Sequence, residues 1–213
     1  MSVSKIYSAQ VADMRVDIVT IEVDLSNGLH AFSIVGLGDK AVEESKDRMS
    51  AAIKNSGFVS PKQKNQKVVI SLAPADLKKE GPIFDLGMAI GYLVASGEIH
   101  FNPEKMLFIG ELSLLGNIRK VHGVLAIVRT AKMAGFREIF LPKENAKEAA
   151  LVSNVTIYPA GTLKEIIEHI TGQKRLSPQM PTTISYSQEK NIFKNKNIKD
   201  ASVDFDYIYG QES

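Results

Sequence analysis

The chain alternates from position 16 to 25: Val19, Ile21, Val23 and Leu25 face one way, and Thr20, Glu22 and Asp24 the other. Period-two alternation predicts a half-buried strand. Ser26-Asn27-Gly28 follows, and Asn-Gly supplies the positive φ angles of a tight hairpin turn, so a return strand is expected over residues 29–35. Gly36-Leu37-Gly38 interrupts the pattern. Asp39 then offers an N-cap, and Glu43 and Glu44 suit the positive first turn of a helix. Val42, Met49, Ala52 and Ile53 form its apolar face, and Gly57 is its stop.

Residues 68–72, Val-Val-Ile-Ser-Leu, predict a buried strand. A loop through Pro74 and Pro82 leads to a helix over 84–96, with Leu86, Ile90, Leu93 and Val94 on one face. Gly87 and Gly91 sit four apart on that helix. They either admit a closely packed neighbour or simply lower helix propensity by about 1 kcal/mol each. A strand over 107–114 is expected to turn at Leu115-Gly116-Asn117 and return briefly. Then follow a helix over 124–134 closed by Gly135, a strand over 138–141, a short helix near Asn145, a strand over 155–158 and a helix over 163–170. Strands alternating with helices, with hairpins early, predict an α/β or α+β domain built on a mixed sheet. No segment repeats at a solenoid period.

Composition shifts at Thr171-Gly172. Residues 173–200 are rich in Lys, Asn, Ser, Gln and Pro. Lys174, Arg175, Lys190, Lys194, Lys196 and Lys199 stand there against only Glu189 and Asp200. This predicts a disordered basic linker over 173–203. The whole chain of 213 residues carries a net charge of only +2, so no global field draws it to nucleic acid. With no cysteine it has neither disulfides nor thiolate chemistry. No apolar run reaches the roughly 20 residues of a membrane span, and Met1-Ser2-Val3-Ser4-Lys5 opens without a signal-peptide core. The expectation is a soluble cytoplasmic protein.

Lys79-Glu80-Gly81-Pro82-Ile83-Phe84-Asp85, followed by Gly110-Glu111-Leu112-Ser113, resembles the Ser–Lys protease domain of Lon. That resemblance implies a nucleophilic serine directly after Gly-Pro and an activating lysine on the later helix. Those positions hold Ile83 and Leu125, and neither side chain attacks or carries a proton. Residues 1–172 also resemble the N-terminal domain of the magnesium-chelatase-like AAA+ ATPases of the ComM (YifB) group. The matching stretches include Val23-Asp24-Leu25-Ser26-Asn27-Gly28-Leu29, Phe32-Ser33-Ile34-Val35-Gly36-Leu37, Leu72-Ala73-Pro74-Ala75-Asp76-Leu77-Lys78-Lys79-Glu80-Gly81-Pro82 and Pro142-Lys143-Glu144-Asn145-Ala146. The family motif falls here on Pro74, Asp76, Glu80, Gly81, Pro82, Asp85, Gly110 and Glu111. Departures include Ile83 where the family usually has Ser, and Gly38, Gly87 and Lys120 where it tends to have Pro.

The resemblance implies the ribosomal-protein-S5-domain-2-like fold shared with Lon and with the RadA C-terminal domain. It further implies an accessory domain ahead of a hexameric AAA+ motor linked to DNA branch migration in natural transformation. Residues 204–213 resemble the opening of that motor. No Gly-x-x-x-x-Gly-Lys-Ser/Thr loop occurs in the sequence, so ATP and magnesium would belong to a motor outside this chain. The motor is then cut off by truncation, missing from the piece in hand, or carried by another chain. The partners implied are copies of the chain or a full-length AAA+ protein, with weak DNA contact and no membrane. A Lon-like peptidase is the rival reading, and it fails at Ile83 and Leu125.

Other chemistry is sparse. Lys62, Lys64, Lys67, Lys78 and Lys79 gather in sequence before the Gly-Pro turn and form the candidate nucleic-acid surface, although no aromatics interleave with them. Lys40, Lys46, Arg48 and Lys54 read as a solvated helix face diluted by acids. Gly36-Leu37-Gly38-Asp39-Lys40 is either a weak phosphate cradle or a strand-to-helix turn. Ser113 beside a turn reads as structural. His30, His100, His122 and His169 lack ligand spacing, so no metal site is expected.

Overall fold

Strand β1 (Ser4–Ala12) pairs antiparallel with β2 (Arg15–Asn27), Ser4 opposite Val23 and Ala12 opposite Arg15. The computed structural model describes residues 3–12 and 15–182. Within β2 the predicted alternation holds: Val19, Ile21 and Val23 are fully buried. The hairpin expected at Asn27-Gly28 does not form. β3 (Ala31–Val35) pairs parallel with β4 (Gln66–Ala73), and β4 lies antiparallel to β2, giving the order β1-β2-β4-β3. The intervening helix α1 (Lys40–Asn55) supplies the crossover connection that the parallel pair β3 and β4 requires. β4 thereby takes the central place and pairs on both sides. The sheet is mixed, as expected, but by a different route.

The caps of α1 are those the sequence predicts. The Asp39 carboxylate accepts from Val42 N–H at 2.8 Å, and Gly57 lies past the C-cap with φ 94°. Val42, Met49, Ala52 and Ile53 are fully buried. Gly36 turns the chain from β3 into this helix. A Cβ on Gly36 would lie 2.2 Å from the carbonyl oxygen of Leu72, so only glycine fits.

A 3₁₀ turn, Pro82–Phe84, runs into α2 (Asp85–Ala95), which is buried on every side as far as Leu93. The close-approach reading of its glycines is correct. A Cβ on Gly87 would meet Ile21 Cδ1 at 2.6 Å, and one on Gly91 would meet Val23 Cγ2 at 2.9 Å. β1 takes part in the same contact with small side chains. Ser4, Ser8 and Gln10 point inward with Ile6, and Ser4 Oγ donates to the Gly91 carbonyl at 2.7 Å. These inward polar residues hide β1 from a hydrophobic pattern.

The expected strand over 107–114 is two strands. β5 (Met106–Phe108) joins a parallel sheet of order β5-β8-β9 with β8 (Glu138–Pro142) and β9 (Thr156–Ala160). β6 (Glu111–Leu112) instead forms a small hairpin with β7 (Ile118–Arg119). The chain breaks at Gly110, which is tied to the Gly-Pro turn: its N–H donates to the Ile83 carbonyl and its carbonyl accepts from Leu86 N–H. The parallel sheet is buried on both faces, as such sheets are. Leu107, Ile139, Leu141 and Ile157 pack in one cluster with α3 (Val124–Met133) and α4 (Ala146–Ala149). Phe108 and Phe140 face the other way, toward α2 and α5 (Leu163–Ile170). Phe140 stacks between Phe108 at 4.8 Å and Tyr158 at 5.1 Å.

Residues 174–182, expected to belong to a linker from residue 173, are bound to the domain. Lys174 N–H bonds the Glu168 carbonyl, Leu176 N–H bonds His169 Nδ1 at 2.9 Å, Gln179 N–H bonds the Ile157 carbonyl and Thr182 N–H bonds the Ala150 carbonyl. Backbone groups that find partners on the folded domain are docked, whatever their composition. Met1–Thr182 forms one compact unit, so the boundary expected at Gly172 falls inside it. The rest of the expected linker and the motor-like opening at 204–213 lie outside the described residues. No helix among the described residues is long and apolar enough to cross a membrane.

Two predictions follow from this packing. Gly36→Ala drives a side chain into the β4 backbone and loses about 1–3 kcal/mol from overpacking, plus the strain of its positive φ. Gly57→Ala, also at positive φ but with open space around it, loses about 1 kcal/mol, and urea melts of the two variants rank them. Burial lowers the pKa of His169 below the ordinary histidine value. Glu138 opposes that shift, Arg175 adds to it, and the rings of Phe140 and Tyr158 close over the imidazole. A depressed folded-state value means that the stability tied to neutral His169 is present above about pH 6.5 and is lost as pH falls below it toward the folded value. Amide exchange at Leu176 and Gln179, corrected for intrinsic rate, speeds up at pH 5.5 relative to pH 7.5, and the change is absent in His169→Gln.

Candidate functional site

Part of the motif turns out to be a set of fasteners around one buried carboxylate. Asp85 opens α2 with its side chain fully buried. Its Oδ2 accepts from Arg48 Nε at 2.7 Å and from Leu112 N–H at 3.1 Å; its Oδ1 accepts from Ser45 Oγ and from an Arg48 Nη at 3.2 Å. Arg48 also donates to the Ala41 carbonyl. One carboxylate thus ties α1, α2 and β6 together. Burial pushes the Asp85 carboxyl above its usual range, with Arg48, Ser45 and Leu112 pulling the other way. The hydrogen bond to Asp85 in turn holds the Arg48 guanidinium up. We take the pair as ionised: every polar group facing Asp85 is a donor, and the Arg48 charge stands within hydrogen-bond distance.

Asp39 is a second fastener. Its Oδ1 caps α1 while its Oδ2 accepts from Gly81 N–H at 3.1 Å. Its own N–H donates to the Lys79 carbonyl, and Lys79 N–H donates to the Leu37 carbonyl. The Asp39 N–H and the Leu37 carbonyl of this turn are therefore both engaged with Lys79, which favours the strand-to-helix turn over a phosphate cradle. Gln10 from β1 completes the frame: its amide donates to the Lys78 carbonyl and accepts from Glu80 N–H.

Behind this frame lies an open cleft of about 470 Å³, walled by Gln10, Val11, Glu80–Ile83, Glu111 and Lys120–Gly123. Four of the motif residues, Glu80, Gly81, Pro82 and Glu111, line it. Glu111 pairs with Arg119 at 2.8 Å. Pro74 and Asp76 fall elsewhere, on a shallow cleft with Arg15 and Asp17. Ile83 is half-buried and packs against both core clusters. Leu125 lies on α3, 40% exposed, and borders a different cleft with Arg129 and Met133. The two positions that resemble the Lon dyad share no cleft.

The five lysines expected to form one surface do not. Lys62 pairs with Asp47 at 2.6 Å and Lys64 with Glu98 at 3.0 Å, both near the start of β4. Lys78 pairs with Glu80 at 2.7 Å beyond the other end of β4, roughly 25 Å away along an eight-residue strand. Lys79 is buried, with its ammonium on the Pro74 carbonyl, and that burial lowers its pKa. Lys67 is exposed on β4 and makes no ion pair among the described residues. Sequence proximity gathered them, and the intervening strand separates them. Ser113 serves its turn, accepting from Asn117 N–H, as expected. Among the described residues no three His, Asp or Glu side chains converge as metal ligands would.

A family model described as subunit ChlI of Mg-chelatase matches residues 21–145, the span that carries both fasteners. The chain belongs to this family. It is 39% identical to the competence protein ComM of Haemophilus influenzae over 214 residues, covering all of this chain and 40% of that protein. It is 33% identical to the protein YifB of Salmonella typhimurium, covering 100% of the chain and 39% of that protein. A more distant match, 29% over 161 residues, is to Lon protease 2 of Thermus thermophilus, covering 71% of the chain and 20% of that protein. The chain spans about 40% of the length of the ComM and YifB relatives. It is thus a magnesium-chelatase-like domain of the ComM/YifB type, and its mixed α/β architecture is the Lon-like, S5-domain-2-like fold that the resemblance implied.

Sequence reasoning missed Ser45 and Gln10, and it read Arg48 as part of a solvated face, whereas Arg48 turns inward to the buried Asp85. Ser45 and Arg48 carried a readable signal: with Val42, Met49 and Ala52 they fall on one inward stripe of α1, where a serine and an arginine call for a buried partner. Asp85→Ala removes that partner and leaves the Arg48 charge uncompensated. It lowers stability by about 3–5 kcal/mol in chemical denaturation. Arg48→Lys, which keeps the charge but loses the fork, loses less than Asp85→Ala.

Proposed function

We propose that this domain is a non-catalytic accessory module of a ComM/YifB-type AAA+ protein, contributing contacts to the assembly rather than chemistry. One observation carries the reading. The residue after Gly-Pro is Ile83, wedged between two core clusters, and Leu125 borders another cleft. A Ser–Lys mechanism needs its two groups within hydrogen-bond reach over a shared substrate cleft. ATP and magnesium would then bind a motor module elsewhere, and the hexameric ring and DNA processing associated with the family would be properties of the whole assembly. Contact with DNA through the loop lysines is the weaker reading, because Lys62, Lys64 and Lys78 are ion-paired and Lys79 is buried.

The purified chain is expected to cleave neither casein nor fluorogenic peptides. The Ile83→Ser, Leu125→Lys double variant is expected to stay equally inert, because catalysis also needs a placed oxyanion site. Turnover by the wild-type chain above a buffer control overturns the non-catalytic reading. In a low-salt mobility shift, no change between wild type and a variant with all five lysines neutralised is expected, and loss of a wild-type shift in that variant revives the DNA reading.

A further inference from the structure

β3 is the open edge of the four-stranded sheet. It pairs with β4 on one side, and among the described residues no backbone hydrogen bond reaches its other side. Natural edges are guarded by lysines, prolines, bulges or a covering segment. Here residues 29–37 carry no lysine, no proline and no acid, and His30 is their one titratable side chain. Instead the edge displays apolar groups: Leu29 is 94% exposed, Val35 47% and Leu37 59%.

Leu37 is held outward by design of the backbone. It sits at φ 55°, in the left-handed region that a leucine rarely adopts. Gly36 before it is locked against the Leu72 carbonyl, and the Leu37 carbonyl is fixed by Lys79 N–H. A large apolar side chain kept both strained and exposed suits a surface that is covered in the working assembly.

The pattern around Ser33 identifies what covers it. Laid antiparallel on its own copy with Ser33 opposite Ser33, β3 sets Ala31 against Val35 and Phe32 against Ile34, with Leu29 and Leu37 flanking the paired strands. Along the strand apolar groups meet apolar groups, and no charge of β3 is buried. β3 itself offers a charged partner strand no counter-ion, the exposed Lys67 beside Ala31 lying one strand back on β4, whereas the chain's own edge is equally uncharged. We propose that β3 is a self-pairing edge, joining two copies of the chain antiparallel about a twofold axis at Ser33 and continuing the four-stranded sheet across the dimer. The contact is isologous. It would link two assemblies or two subunits, and it does not rest on the non-catalytic reading above. One strand edge with its flanks lies at the small end of specific interfaces, so half-dimerisation is expected at roughly 10–100 µM.

Sedimentation of the full 213-residue chain across that range, together with cross-linking, tests this. The chain has no cysteine, so Ser33→Cys introduces a lone thiol. Opposed residues of antiparallel strands lie about 4.5–5.5 Å apart at Cα, within disulfide reach. Ser33→Cys is expected to form a disulfide dimer under mild oxidation, and Lys5→Cys, on β1 at the opposite edge, is not. A31K/V35K places lysines opposite one another and weakens the dimer about tenfold, and A31E/V35K, which sets Glu against Lys across the axis, restores it. A chain that stays monomeric at every concentration overturns the proposal and leaves the edge to a strand of another protein. A dimer indifferent to A31K/V35K, or a Lys5→Cys thiol that cross-links as well as Ser33→Cys, places the contact elsewhere and overturns it too. If circular dichroism shows A31K/V35K unfolded, the comparison of the two cysteine variants decides.

Discussion

The buried carboxylate of Asp85 holds this domain's frame together. Removing it from water is unfavourable, and the structure offsets that with Arg48, Ser45 and the Leu112 amide. The donors come from α1 and from β6, so the charge pair is satisfied only when three separate elements are in place. An ion pair of this kind adds little net stability compared with a packed apolar substitute. What it does here is fix geometry: α2 starts at one place, and β6 is drawn away from the direction of β5. The break at Gly110 and the cleft beside the Gly-Pro turn follow from that placement.

Glycine and serine supply the complementary constraint. The glycine face of α2 lets the helix lie close to Ile21 and Val23, and β1 meets it with Ser4 and Ser8. Close approach increases dispersion contacts and leaves no room for larger side chains. The same economy of volume makes the Gly-Pro turn tight: Asp39 reaches Gly81 across the start of α1, and Gln10 reaches the carbonyl of Lys78. Residues that resemble a peptidase motif therefore persist here with structural duties. Ile83, at the place of a nucleophile, joins the two cores.

That division explains why the family motif is legible although Ile83 follows the Gly-Pro turn. Asp85, Gly81, Pro82 and Gly110 are needed to shape the turn whether or not a serine follows it. The lysines show the reverse. They look like a site because they are close in sequence, yet the extended β4 carries Lys62 and Lys64 to one end of the sheet and Lys78 to the other. Ion pairing and burial then leave little free charge. The open cleft keeps polar walls from Glu80, Glu111, Lys120 and His122, and the uncharged β3 edge lies in another part of the sheet.

Local signals determined much of the domain from the sequence alone. The cap at Asp39, the stop at Gly57, the alternation of β2, the apolar stripe of α1 and the span of α5 each depend on residues within a few positions of one another, and each stands as read. The α/β class was legible for the same reason. Tertiary structure decided what depends on distant partners. β1 was invisible because its inward face is polar, and it is a strand because α2 offers that face a glycine surface and a carbonyl. The Asn27-Gly28 hairpin gave way because β4 satisfies the backbone of both β2 and β3 at once. Residues 173–182 read as linker by composition, yet their amides find His169, Ile157 and Ala150 on the finished surface. Hydrogen-bond partners supplied from far along the chain leave no periodic trace in the segment that uses them.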